Sequence, residues 1–227
     1  MTELQPTDAR DDEPAMTISS EQRDFPEWHR GRPRFAVWAI SLDDPAVERR
    51  LDQVREALHT WLLPGYKRQA HITLHVCGFP AARPEHADDF GPAQLQAHID
   101  AIARAAPGRL ALRVGGAFSF ASAACLRVRD DGSALQRMRG HFDQAARSHD
   151  VTPYVPHVTA GLYAGAWPMR EVQVRLHRLA ALPDIELPVN ALDWMVYDSR
   201  RIGGPLCSLL RVDLATHRVE ELARFFA

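Results

Sequence analysis

Two short segments of the chain alternate between polar and apolar residues with a period of two, which is typical of half-buried β-strands. The polar face of the first segment carries His71, Thr73, His75 and Cys77. The corresponding face of the second segment carries His157, Thr159 and Gly161. Each segment therefore presents an imidazole beside a hydroxyl, and its other face can pack on a core.

Helical and extended patterns account for most of the remaining chain. Apolar residues three or four positions apart predict helices, which cover residues 45–61, 92–106, 133–148, 169–179 and 216–226. Short apolar or alternating runs predict strands, which cover residues 35–42, 70–79, 109–114, 124–130, 157–162, 186–197 and 207–214. Asp44 and Pro45 predict the start of the first helix, as its N-cap and first-turn residue.

A strand–helix–strand unit occurs twice in this prediction. The first unit comprises residues 35–42, 45–61 and 70–79, and the second comprises residues 124–130, 133–148 and the strand with His157. The two His-x-Thr triplets occupy equivalent places in these units. Because an internal duplication brings equivalent residues towards a pseudo-twofold axis, we expect the two triplets to face each other across a groove.

The residues before this repeat have a different character. Residues 1–33 are acidic, polar and proline-containing, and they predict a poorly ordered N-terminal arm. Trp28 is the exception, and we expect it to dock the end of the arm on the body. Residues 34–227 predict a single domain, which is long enough to bury a substantial core.

Composition and charge narrow the range of partners. The net charge of −2 argues against a broad nucleic-acid surface, but it allows a small nucleotide held by local contacts. The three cysteines are isolated, and no histidine, cysteine or carboxylate cluster has metal-site spacing. We therefore expect no metal and no cofactor. Without an apolar run near the ~20 residues of a membrane span, or an apolar N-terminal signal, we expect a cytoplasmic protein and a monomer.

Paired imidazoles and hydroxyls suit the chemistry of phosphate esters. Near pH 7 histidine supplies both its neutral and its protonated form, so one imidazole can accept a proton from water while the other protonates a leaving oxygen. The two threonines can donate to the non-bridging oxygens. The sequence leaves open which histidine is the acid. The alternative is that both histidines are buried structural residues and both threonines are good strand formers.

Further features extend over residues 34–214. Gly78 follows the first triplet, Pro156 precedes the second, and the C-terminal part carries residues 195–199, Gly203-Gly204 and Leu209, Asp213 and Leu214 in the pattern of a closing hairpin. Together these features resemble the two-histidine (2H) phosphoesterase superfamily, in particular its bacterial 2′-5′ RNA ligase-like, or RNA 2′,3′-cyclic phosphodiesterase, group. The resemblance implies a bilobal α+β fold with two pseudo-twofold-related lobes. Each lobe would have an antiparallel sheet and outer helices, with a catalytic groove between the lobes.

The chain departs from the pattern of this superfamily at two positions. Many members carry an aromatic residue where this chain has Val76, and an arginine where it has Leu162. We consider Arg127 and Arg129 as replacements for this arginine. Other candidates for substrate binding are Tyr154 and Trp167, which could stack a base, and His75, which shares the face of His71. Ordinary packing is the alternative for these three residues.

The sequence thus predicts a metal-independent 2H phosphoesterase in which His71, Thr73, His157 and Thr159 are catalytic. Its expected substrate is a 2′,3′-cyclic phosphate on an RNA end or a nucleotide. One alternative is a 2′-5′ phosphodiesterase or RNA 2′-5′ ligase activity at the same site. The other is a nucleotide- or RNA-end-binding module that has lost turnover.

Overall fold

The computed structural model describes residues 14–147, 153–224 and 226. The helices in these ranges are α1 (Pro26–His29), α2 (Pro45–Ala57), α3 (Pro92–Ala105), α4 (Ala134–Ala145) and α5 (Met169–Ala180). The strands are β1 (Arg34–Ser41), β2 (His71–Pro80), β3 (Asp89–Phe90), β4 (Leu110–Ser119), β5 (Ala123–Arg129), β6 (His157–Leu162), β7 (Ile185–Val189), β8 (Ala191–Asp198), β9 (Cys207–Asp213) and β10 (Val219–Glu221). No helix within the described ranges is both long enough and apolar enough to cross a membrane.

The strands form two sheets, one for each lobe. The first sheet has the order β10-β9-β8-β1-β2-β3, and the second has the order β6-β5-β4-β7. All strand pairs are antiparallel except β2 and β3, which are parallel. With helices packed against these sheets, the fold is the predicted bilobal α+β fold.

The lobes exchange helices. Helix α2 follows β1 of the first sheet, but it packs beside α5 against β5 and β6 of the second sheet. Helix α4 follows β5 of the second sheet, but it packs beside α3 against β2 of the first sheet. One continuous core runs through both lobes as a result. The covering of each sheet depends on the repeat unit that begins in the other sheet.

The first repeat unit forms as predicted. The Asp44 carboxylate caps α2 by accepting hydrogen bonds from the backbone N–H groups of Ala46 (2.7 Å) and Val47 (3.1 Å). Val47, Leu51 and Val54 form the buried stripe of this helix. The helix ends at Ala57, before the predicted residue 61, and a tight turn places Trp61 in the core.

The predicted strand over residues 186–197 is wrong in one respect, because it is two strands in different lobes. Strand β7 pairs with β4 in the second sheet, and β8 pairs with β1 in the first. Pro188 lies in β7 at the edge of its sheet, where its missing N–H costs no ladder bond. Apolar alternation continues through both strands, so the sequence pattern carries no sign of the change of sheet at Asn190.

The predicted terminal helix over residues 216–226 is also wrong. The chain turns back after β9, and β10 pairs with β9 over Val219–Glu221. The Asp213 carboxylate accepts hydrogen bonds from the backbone N–H groups of Ala215 and Thr216, which favours this turn over a helix. Val219 and Leu222, which were expected to point inward, are exposed. Residues 225 and 227 lie outside the described residues.

Much of the predicted N-terminal arm contacts the body. The backbone N–H groups of Thr17, Ile18 and Ser20 donate to the carbonyls of Trp167, Ala121 and Tyr163, each at 2.8 Å. At the end of this segment Trp28 packs against Phe35 (5.0 Å) and Phe79 (5.1 Å), as expected. Residues 14–33 therefore belong to the folded body, and residues 1–13 lie outside the described residues.

Candidate active site

The two His-x-Thr strands lie beside each other where the lobes meet. Strand β6 is the edge strand of the second sheet, and it contacts β2 of the first. His71 is the first residue of β2, and His157 is the first residue of β6. The duplication thus brings the two triplets to neighbouring strands.

Both imidazoles are held in the same way. The Nδ1 atom of His71 lies 2.8 Å from the carbonyl oxygen of Gln69, and that of His157 lies 2.7 Å from the carbonyl oxygen of Val155. A carbonyl oxygen only accepts hydrogen bonds, so each Nδ1 carries a hydrogen and donates it. In the neutral ring the lone pair is then on Nε2. Each histidine therefore has the same tautomer, fixed by the residue two positions before it.

The surroundings of the two rings differ. His71 is 7% exposed, whereas His157 is half-buried. The rings of His157 and Phe120 are arranged edge to face, with their centres 5.0 Å apart. Burial, with smaller contributions from the charges of Arg68 and His157, lowers the pKa of His71 to about 4. The bond to Gln69 opposes these effects without reversing them. His71 is therefore neutral at pH 7.

Thr159 has two neighbours that the sequence did not reveal as part of the site. It pairs with Cys125 across β5 and β6, and its hydroxyl is close enough to the Tyr66 hydroxyl to lower the pKa of Tyr66 slightly. Burial raises the pKa of Tyr66 to about 12 and that of Cys125 to about 12, so both groups stay protonated. Tyr66 packs on Gly203, where φ is +65° and a Cβ atom would approach the Tyr66 ring to 2.7 Å. Tyr66 lies in an irregular segment between α2 and β2, where periodicity gives no signal.

Arg68 is a second functional candidate that the sequence analysis missed. Its Nε–H donates to the carbonyl of Gly204 (3.1 Å), and its guanidinium lies over the Tyr197 ring at 4.1 Å. The neighbouring Gln69 side chain bonds both the N–H and the carbonyl of Leu206. The loop before β2 is thus fastened to the loop before β9, and it holds a positive charge close enough to His71 to lower its pKa.

A β-bulge interrupts each His-x-Thr strand immediately after its threonine. Thr73 pairs with Ala39 and His75 pairs with Trp38, which leaves Leu74 as the extra residue of β2. In β6, Thr159 pairs with Cys125 and Gly161 pairs with Ala124, which leaves Ala160 as the extra residue. One extra residue reverses the facing of the residues that follow it, up to the next irregularity, which in β2 lies at Cys77.

The bulges correct the predicted faces. His75 does not share the face of His71, because it is fully buried. The centre of its ring lies 4.9 Å from that of His98 and 5.3 Å from that of Phe142. Its Nδ1 atom lies 3.6 Å from the Asp143 carboxylate. Because its side chain is fully buried, His75 is a core residue. Gly161 likewise leaves the face of His157. Val76 was predicted on the opposite face, but after the bulge it lies on the face of Thr73.

Arginines from the exchanged helices bind the carbonyls of the two bulges. Arg139 of α4 donates to the Leu74 carbonyl at 2.7 Å, and Arg55 of α2 donates to the Ala160 carbonyl at 3.1 Å. Tyr154 supports the first contact. Its ring lies under the Arg139 guanidinium at 4.2 Å, and its hydroxyl donates to the Thr73 carbonyl at 3.2 Å. Each histidine strand is thus held by a helix of the opposite repeat unit.

The remaining candidates for substrate binding are dispersed. Arg127 pairs with His157 across β5 and β6 and lies on the same face. Arg129 lies 3.6 Å from the Asp184 carboxylate, as part of a surface ion-pair group. Trp167 follows the end of β6 away from His157, where its ring stacks on Trp61 at 4.9 Å. Arg129 is two residues from Arg127 on β5 and shares its face, but it is held by Asp184, and Tyr154 is occupied by Arg139. Of these four, Arg127 is therefore the candidate that remains.

A comparison with protein-family models matches residues 42–201 to the 2′-5′ RNA ligase superfamily. The chain belongs to this superfamily. Membership supports a phosphoesterase or ligase-like activity, and hence an enzyme. A comparison with curated protein sequences finds no match.

Solved structures agree with this superfamily at the level of the fold. The structure of TT0787 from Thermus thermophilus has a TM-score of 0.54 and 16% identity, over 81% of this chain and 100% of that chain. E. coli LigT complexed with 3′-AMP has a TM-score of 0.53 and 14% identity, over 81% of this chain and 99% of that chain. These two structures and the present chain share the bilobal fold.

Proposed function

We propose that the chain hydrolyses a 2′,3′-cyclic phosphate on an RNA end or nucleotide, with His71 and His157 as base and acid and with no metal. The observation that carries this proposal is the pair of imidazoles on neighbouring strands, each fixed by the same Nδ1 bond. Their unequal burial supports the division of roles. Burial disfavours the charged, protonated form of an imidazole. In this proposal the buried His71 is therefore the base, and the more exposed His157 is the acid.

The reaction follows from these two protonation states. The Nε2 lone pair of His71 accepts a proton from a water molecule as its oxygen attacks phosphorus. The bond between phosphorus and one ribose oxygen breaks on the opposite side. The protonated His157 gives its Nε2 proton to that departing oxygen, and a phosphomonoester remains. The two rings exchange their protonation states during the step, and solvent restores them.

The phosphate oxygens need donors that the histidines do not supply. In this proposal Thr73 and Thr159 donate to the non-bridging oxygens, where negative charge grows in the transition state. Arg68 takes the place of the arginine that many superfamily members carry at the position of Leu162. Its guanidinium is oriented by Tyr197 and Gly204, and its positive charge is close enough to His71 to lower the pKa of that residue.

Incubation with a panel of substrates in EDTA tests the proposal. The panel holds cyclic mononucleotides, RNA ends with a cyclic phosphate, and 2′-5′ dinucleotides, and each product is identified by chromatography. We expect cyclic phosphates to be opened at the same rate with and without EDTA, because the side chains supply the acid, the base and the donors. Loss of turnover in EDTA, with recovery on adding a divalent ion, would contradict the two-histidine mechanism. Turnover of 2′-5′ linkages alone would favour the 2′-5′ phosphodiesterase or ligase alternative.

A second prediction concerns the arginine that holds the first bulge. Arg139→Met leaves the buried Leu74 carbonyl without its donor and frees the strand segment that carries His71 and Thr73. We expect kcat to fall by about 10-fold or more, because displacements near 1 Å can cost up to about 10²-fold, while KM changes little. Arg139→Lys should recover part of kcat, and Tyr154→Phe should cost less than Arg139→Met.

Arg50 provides the matched control for this experiment. Like Arg139 it is 9% exposed, and it donates to the carbonyls of Val114, Gly115 and Pro183, away from the histidine strands. Arg50→Met should lower the melting temperature but leave kcat of the folded enzyme intact. If both methionine variants lose stability and neither loses kcat, Arg139 has only a structural role.

A further inference from the structure

An aromatic surface leads away from His157. The ring of Phe120 meets the imidazole of His157 at 5.0 Å, and Phe118 meets Phe120 at 4.9 Å. Both phenyl rings are half-buried, so each keeps part of its surface open. Phe118 lies on β4 and Phe120 on the turn that joins β4 to β5, and β5 separates β4 from the strand of His157. The two rings thus form a path from the proposed acid towards the outer edge of the second sheet.

This path ends at a cavity of about 330 Å³. On the side away from β5, β7 pairs only with the first half of β4, over Leu110–Val114, and the second half of β4 has no strand on that side, where the cavity lies. Helix α5 closes the other side of the cavity. The lining combines apolar Met169 and Leu176 with Phe118, Arg127, Gln173 and His177.

Arg127 is one of the residues that line this cavity. Opposite it in β4 lie Gly115 and Gly116, which have no side chains, at a shift in the β4–β5 register. Its guanidinium carbon lies 5.4 Å from the centre of the Phe118 ring. Over the described ranges of the chain, no carboxylate forms an ion pair with Arg127. Its charge is therefore available to an anion in the cavity.

The helix side of the cavity adds polar groups. Gln173 and His177 are four residues apart on α5, so they lie on the same face of the helix. Both are exposed and can contact a polar ligand. Proteins bind single-stranded nucleic acid with aromatic rings, on which the bases stack, and with arginine and other polar groups, which bind the phosphates.

We propose that this cavity, with the two phenyl rings, binds the nucleotide that precedes the reacting end of an RNA chain. The inference rests on the function proposed above and extends it. A cyclic mononucleotide has a single phosphate, which the two histidines bind in the proposed reaction. It therefore has no second phosphate for Arg127 to bind. An oligonucleotide carries a phosphodiester one nucleotide back, and its base can stack on Phe118 or Phe120. The substrate class is then an RNA end rather than a free nucleotide.

A comparison of two substrates distinguishes an enzyme that acts on RNA ends from one that acts on free mononucleotides. We would measure kcat/KM for a 2′,3′-cyclic mononucleotide and for a trinucleotide that ends in the same cyclic phosphate. The wild type should prefer the trinucleotide by about 10-fold or more. Arg127→Met should reduce this preference by about 10-fold and weaken its salt dependence, because one phosphate contact is lost. His177→Ala should reduce the preference by a smaller factor.

Val174→Ala is the control, since Val174 is 76% exposed on α5 and is not part of the cavity lining. This variant should keep the wild-type preference. Equal kcat/KM for the two substrates in the wild type, or an equal effect of Arg127→Met on both, would overturn the proposal.

Binding of a 3′-phosphorylated trinucleotide is measured in parallel, because it reports on the subsite independently of turnover. Arg127→Met should weaken this binding by about 10-fold relative to a 3′-phosphorylated mononucleotide. If neither cyclic substrate is hydrolysed but this difference in binding is found, the proposed activity fails and the subsite stands. If the trinucleotide and mononucleotide bind alike, the subsite fails.

Discussion

His71→Ala and His157→Ala should each lower kcat/KM for a cyclic phosphate by at least about 10²-fold, the usual contribution of a positioned acid or base. The double variant should be scarcely worse than either single variant, because groups that act as a unit are not additive. Thr73→Val and Thr159→Val should cost less, since each removes one neutral donor. Initial rates with a cyclic nucleotide measure all five variants.

His59→Ala serves as the control for these histidine variants, because His59 is exposed on the surface. Circular dichroism of each variant separates loss of chemistry from loss of folding. Binding of a 3′-phosphorylated nucleotide should survive in His71→Ala and His157→Ala, since the imidazoles act chiefly in the transition state. A wild type that binds nucleotide without turnover, together with histidine variants that no longer bind, would identify a binding module instead.

The pH dependence should assign the base. His71 accepts a proton only when it is neutral, so kcat/KM on the acidic side should fall as the pH drops through the pKa of His71, at about 4 rather than at the ordinary 6.5. Arg68→Met removes a positive charge that lowers this pKa, and the acidic limb should therefore move to higher pH. Rates between pH 3.5 and 8, at constant ionic strength, measure the midpoint.

Arg49→Met provides a matched loss of charge on an exposed residue, and it should leave the midpoint unchanged. Because Arg68 is also proposed to hold phosphate, its variant should lose rate at every pH, and the midpoint is the informative quantity. Tryptophan fluorescence confirms that the protein is folded at the acidic end. A wild-type midpoint near 6.5, or the same midpoint in Arg68→Met, would contradict the role of His71 as the buried base.

The part of the site that repeats in the sequence could be predicted from the sequence. The His71 and His157 triplets recur with their flanking strands and helices, so their placement on neighbouring strands followed from the duplication. The facing of residues beyond the triplets could not be predicted in the same way. A bulge inserts one residue without altering composition or periodicity, and it sent His75 into the core while Val76 came to the side of Thr73.

Other parts depended on contacts between residues far apart in the chain. Tyr66 and Arg68 lie in an irregular loop, and their roles arise from Thr159, Tyr197 and Gly204 of other segments. The division of the predicted strand 186–197 into β7 and β8 is similar, because both strands have the same apolar pattern. Local patterns identify elements, whereas pairing partners are set by the assembled core.

The exchange of helices between the lobes has a consequence for how the protein unfolds. Removing either repeat unit would uncover the sheet of the other unit, since α2 and α4 each cover the opposite sheet. Neither half can therefore persist as a separate stable body. Heat or denaturant should melt both lobes in one cooperative transition, and refolding must await contacts between distant parts of the chain, which slows it. A gene encoding only one repeat would yield a product that is soluble only as a dimer in which two copies exchange these helices.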